Sequence, residues 1–178
     1  MIERRQIIYS SLVFYFLLFV VSSTETSILA QILGATSVPC LFLAVCTYVS
    51  IHRKIWEALL FVYLGSFVLS SFSLSPWGFF VFGQLAALMA VRFVRDRVYW
   101  PGLGYFIMVY VLSIGVYQVT VSLFSLAVDE NPMHGPFWWS WLFQVLWAPV
   151  VAAPMMFLME FIDNRMKRTS EVSEVEGV

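Results

Sequence analysis

An all-α integral membrane protein with six transmembrane helices and both termini on the cytoplasmic side is the architecture this sequence predicts. Three observations carry that prediction. The 178 residues are 61% hydrophobic and 12% charged, with a mean hydropathy of +0.84, whereas a soluble domain carries roughly 25% charged residues. The apolar residues fall in blocks of helical length rather than in alternating strand-length segments, which favours helices over a closed barrel. All ten Lys and Arg residues also fall on one side of the membrane if the chain crosses six times.

The blocks are approximately 7–22, 28–51, 55–72, 77–92, 103–128 and 137–162, within a transmembrane domain over 1–168. Arg4 and Arg5 precede the first block and Ile7 to Val21 fill it, a pattern that imitates a secretory signal peptide. We read it as an uncleaved first helix. The second block is interrupted by Gly34, Thr36, Ser37 and Pro39, so its crossing proper is expected from about Pro39 to Ile51. Leu64 to Arg97 reads as a membrane hairpin with the turn Ser73-Leu74-Ser75-Pro76-Trp77-Gly78. Ser75 is placed to cap the next helix, and Pro76 suits its first position, where an N–H would lack a partner anyway. The sixth block contains Pro149 and Pro154, each of which removes a backbone bond and predicts a bend.

The cations sit at Arg4 and Arg5, at Arg53 and Lys54, at Arg92, Arg95 and Arg97, and at Arg165, Lys167 and Arg168. The alternate loops carry Glu25, no charge, and Asp129 with Glu130. The positive-inside rule then puts both ends in the cytoplasm. Trp77, Trp138, Trp139 and Trp141 fit an outer aromatic belt, and Trp56, Tyr99 and Trp100 an inner one. The tail 169–178, with Glu171, Glu174 and Glu176, is expected to be disordered.

Candidate functional residues are few. Glu57 and Glu160 lie close to the cytoplasmic boundary, where pairing with Arg53, Lys54, Arg165 or Lys167 is a sufficient role. Gln31, Gln84, Gln118 and Gln144 must find partners in lipid and point to helix packing. Gly65, and the small-residue pairs Gly83 with Ala87 and Ala86 with Ala90, add to that candidate packing or partner interface. The turn motif Ser75, Pro76 and Gly78 and the basic cluster Arg92, Arg95 and Arg97 complete the set, the cluster being readable as a topology signal or a contact for anionic lipid. Cys40 and Cys46, six residues apart, fall on different faces of a helix and suggest neither a disulfide nor a metal pair. His52 and His134 have no second ligand at metal spacing, and no catalytic or phosphate-binding motif is visible, so no metal, cofactor, nucleic acid or enzymatic activity is expected.

The proline opening the second crossing in Val38-Pro39-Cys40-Leu41, the hairpin from Leu64-Gly65 through Ser73-Leu74-Ser75-Pro76-Trp77-Gly78, and the late segment Gln144-Val145-Leu146-Trp147-Ala148-Pro149 resemble the bacterial rod shape-determining protein MreD family. The chain departs from that pattern at Cys40, where the family has aspartate, and after Gly65, where Ser66 and Ser70 replace an acid. The resemblance implies a non-enzymatic inner-membrane subunit of the cell-elongation complex, acting in peptidoglycan synthesis beside MreC and the cell-wall enzymes. The rival expectation is a substrate-binding membrane subunit of a vitamin-type transporter, whose cavity would be lined by Gln84, Gln118, Trp138 and Trp139.

Overall fold

A computed structural model describes residues 2–33, 38–72, 76–128 and 137–166. Every regular element among them is helical, and they form six rods. The first consists of α1 (Ile2–Ser23), a π-helical segment (Thr24–Leu29) and α2 (Ala30–Leu33). The others are α3 (Leu41–His52), α4 (Ile55–Ser71), α5 (Trp77–Arg95), α6 (Leu103–Val128) and α7 (Phe137–Arg165). Four rods, bounded as Ser11–Ile32, Trp77–Arg95, Leu103–Val128 and Trp139–Arg165, are long and apolar enough to cross a membrane. α3 and α4 are shorter apolar helices of 12 and 17 residues.

α3 is the axis of the bundle. It packs against α1, α4, α5, α6 and α7, while α1 to α4, α4 to α5, α5 to α6 and α6 to α7 are neighbours in turn. Every residue from Phe42 to Ile51 is buried, which is why the sequence of α3 is apolar on all sides rather than amphipathic. At 1.5 Å per residue its 12 residues cover about 18 Å, short of the roughly 30 Å hydrocarbon layer. The fully buried side chains Leu18, Val45, Tyr48, Val62, Leu88, Phe106, Ile114 and Met159 show that the core is shared by all the rods.

The beginning of the chain differs from the sequence expectation. The α-helical part of the first rod ends at Ser23, close to the expected 22, but the rod itself does not stop there: Thr24 to Leu33 continue it, 28–51 is not one helix, and the next helix starts at Leu41. The polar run Ser22-Ser23-Thr24-Glu25-Thr26-Ser27 reads as a loop by composition, but its two threonine hydroxyls bond to their own helix. Thr24 Oγ1 donates to the Val21 carbonyl at 2.9 Å and Thr26 Oγ1 to that of Ser22 at 2.8 Å, so the polarity costs no helical structure. Pro76 is the residue before the helix, in an extended conformation, rather than its first helical residue. α5 runs three residues past the expected end, and α7 continues through Pro149 and Pro154 as one element. Ser75, His134 and the tail 169–178 lie outside the described residues.

Candidate functional site

The C-terminal end of α3 gathers the charges of the bundle. A helix ends with carbonyls that have no intrahelical donor and with the negative pole of its dipole. Here α5 supplies the donors: Arg95 Nη1 bonds the Ile51 carbonyl at 2.9 Å, and Arg92 Nη2 bonds the carbonyl of Arg53. Arg53 itself turns to α7 and forms an ion pair with Asp163. The other carboxylate oxygen of Asp163 accepts the Tyr48 hydroxyl at 3.0 Å. Phe14 of α1 lies under the Arg53 guanidinium, 5.1 Å from ring centre to Cζ, and Tyr48 stacks on His52 at 4.2 Å.

Arg53, Arg92 and Asp163 expose 5%, 6% and 8% of their surface. Charges this buried persist only when paired and hydrogen-bonded, and this network joins α1, α3, α5 and α7. Its chemistry is that of a clamp. Its polar contacts fix the end of α3 to α5 and to α7, and the Phe14 ring adds α1.

The other end of α3 is held by a single acid. The Glu25 carboxylate, on the π-helical segment, accepts the Phe42 N–H at 2.9 Å. α3 has no side-chain cap of its own, so Glu25 does that work from another rod and meets the positive end of the helix dipole. The neighbouring free donors and acceptors are used as well: Leu43 and Ala44 N–H bond the Cys40 carbonyl at 3.1 and 3.3 Å, and the Tyr110 hydroxyl donates to the same oxygen at 2.7 Å. The reading of Glu25 as an outer-loop charge is therefore corrected, since it lies within a candidate span. Replacing Glu25 by alanine is expected to destabilise the protein by about 1 kcal/mol, the usual cost of a lost cap. A thermal melt in detergent indistinguishable from that of the parent chain would contradict that role for Glu25.

Between the two ends runs a seam of hydroxyls and one amide. Thr47 Oγ1 lies 3.0 Å from Ser113 Oγ, joining α3 to α6, and Ser66 Oγ lies 2.8 Å from Gln84 Oε1, joining α4 to α5. Gln84 is 1% exposed and its Nε2 has no hydrogen-bond partner among the described residues. The gap it lines with Cys46, Thr47, Ser50 and Ser113 is too narrow to admit a water molecule. Farther out, Gln118 Nε2 donates to Gln144 Oε1 at 2.6 Å, joining α6 to α7. Such interhelical bonds contribute about 0.6 kcal/mol each.

The small residues singled out in the sequence meet neighbours within the chain. A carbon added at Gly83 would lie 2.8 Å from the ring of Tyr117 and from Val121 on α6, and one at Gly65 would lie 2.9 Å from Leu18. Ala87 is buried, Ala86 and Ala90 are half-buried, and nothing lies within 4 Å of a carbon added at Gly78. The basic cluster divides: Arg92 and Arg95 fold onto α3, while Arg97 is exposed over the Phe93 ring at 4.0 Å. Trp139, proposed for a cavity wall, is exposed.

Sequence reasoning missed Asp163, Tyr48 and the reach of Glu25. A signal for Asp163 was present. It follows Met155 and Met159 at four-residue spacing, on the buried stripe of α7, and an acid on a core stripe requires a partner. Among the described residues no three His, Cys, Asp or Glu side chains cluster as metal ligands. Comparison of the chain with protein-family models, with curated proteins and with solved structures finds no match.

Proposed function

We propose that this protein is a membrane scaffold, a subunit that recruits other membrane proteins rather than transforming a substrate, and that it acts as the MreD family does in bacterial cell elongation. One observation carries the scaffold reading: α3 is enclosed by five helices and clamped at both ends, by Glu25 at one and by Arg92, Arg95 and Asp163 at the other. A bundle organised in this way offers partners a fixed outer surface. The more specific part, a subunit beside MreC and the peptidoglycan enzymes in the bacterial inner membrane, rests on the sequence resemblance.

The same reading takes the chain across the membrane six times with both termini cytoplasmic. The distribution of all ten cations supports it. α3 is too short to cross alone, but Val38 and Pro39 before it are buried in protein, where non-helical backbone is tolerated at membrane depth. A second reading, a substrate-binding subunit of a transporter, would draw on the buried Gln84 amide, but the gap that Gln84 lines does not admit a water molecule, which argues against it.

The test is gentle detergent extraction from the native membrane, capture of the chain through a C-terminal tag, and mass spectrometry of what accompanies it. Recovery of MreC or cell-wall synthases is expected. Stoichiometric recovery of an ATPase module or a vitamin would overturn the scaffold reading in favour of the transporter one. Labelling of the tag from the periplasmic side of intact cells would overturn the six-span topology.

A further inference from the structure

The charge cluster at the end of α3 does not use every cation at that end of the bundle. Among the described residues, Arg53, Lys54, Arg92, Arg95, Arg97 and Arg165 lie on or next to the ends of α3 to α7 there, together with four carboxylates, Glu57, Asp96, Glu160 and Asp163. Cations are in excess among these residues. Two of them, Arg97 and Arg165, share one arrangement: each is exposed and lies over an aromatic ring four residues earlier, itself exposed, at the C-terminal end of a long apolar helix. Arg97 stands 4.0 Å from the centre of Phe93 and Arg165 stands 5.8 Å from that of Phe161. The contacts of Arg92 and Asp163 with Arg53 place both helix ends at the same level.

An exposed ring on a membrane helix belongs among acyl chains. A guanidinium laid on its face is then carried to the depth where the acyl chains meet the phosphates. The guanidinium fork matches the oxygens of a phosphate. Lys54 and the exposed Trp56 and Trp100 at the same end fit the interfacial layer. We propose that Phe93–Arg97 and Phe161–Arg165 are two lipid clamps, each holding one anionic phospholipid by its phosphate and its first acyl carbons. The cation excess selects anionic headgroups, because a zwitterionic lipid brings an ammonium group to a surface that already has too much positive charge.

The test is native mass spectrometry of the full chain released from mixed vesicles of phosphatidylglycerol and phosphatidylcholine. The parent chain is expected to retain phosphatidylglycerol over phosphatidylcholine, and R97Q/R165Q to lower that preference by about fivefold for each arginine, the ratio that one basic residue near an anionic surface represents. Phe93→Leu with Phe161→Leu is expected to lower it too, although no charge changes. Equal retention of the two lipids by the parent chain, or an unchanged preference in R97Q/R165Q, would overturn the proposal. So would an unchanged preference in the leucine pair, which would leave charge without the rings. Inorganic phosphate is the further arm: displacement of the retained lipid by phosphate at millimolar concentration would identify a simple anion site instead.

Discussion

Asp163→Ala is expected to lower the stability of the folded protein by about 3–5 kcal/mol, because it leaves Arg53 buried without its carboxylate. The loss should appear as a large drop in the thermal unfolding midpoint in detergent or nanodiscs. Tyr48 loses its acceptor in the same change, so the effect should exceed that of a simple truncation on the surface. The direction of rescue is also specified. Arg53→Met combined with Asp163→Ala removes the stranded charge, and the pair should be more stable than Asp163→Ala alone, since breaking a buried ion pair costs more than replacing both partners by apolar groups. Equal midpoints for the single variant and the parent chain would mean that water reaches and screens the pair.

Gly83→Leu comes next in expected size. The first carbon of any side chain at this position would already stand 2.8 Å from Tyr117 and Val121, and neither a packed ring nor a β-branched residue yields cheaply. Overpacking of this kind costs about 1–3 kcal/mol, occasionally more, and here it forces α5 away from α6. The control is Gly78→Ala on the same helix, with no neighbouring atom within 4 Å, which should stay within about 0.5 kcal/mol of the parent chain. The comparison separates two roles for Gly83. If Gly83→Leu folds normally and only the recovery of a partner protein falls, the glycine faces a partner and the α5–α6 contact described here is wrong. If the unfolding midpoint falls, the glycine serves the fold of this chain.

Much of the architecture was legible because it follows from solvent. The starts of α4, α6 and α7 and the ends of α6 and α7 coincide with charges, Gly or Pro interrupting apolar blocks, and a membrane helix has little freedom to place them elsewhere. The first rod was misread for an identifiable reason: Ser, Thr and Glu in succession signal a loop only when their side chains are assumed to face water. In this chain Thr24 and Thr26 bond backward to carbonyls of their own rod, and Glu25 finds the Phe42 amide 17 positions later. The charge cluster was half legible. The cations were counted for topology, which they serve wherever their side chains point, so the count could not reveal that Arg92 and Arg95 turn inward to the carbonyls of α3. No spacing rule links Arg53 to Asp163, because 110 residues separate them and only the packing of α3 against α7 brings them together.

The π-helical segment Thr24–Leu29 lies between two stretches of ordinary α-helix in the first rod. Below it, Tyr15 and Phe19 meet Phe61 of α4 and Phe72 just after it; within it, Glu25 meets α3. A π turn holds more residues than an α turn, so the segment works as a built-in offset between these two docking faces. Each residue of an α-helix advances the rod by about 100°. Loss of a single residue here would therefore turn one half of the rod against the other and point Glu25 away from Phe42, whereas the same loss in a loop would only shorten a connection. For the evolution of such a chain, this π-helical stretch would tolerate changes of side chain away from Glu25 far more readily than changes of length.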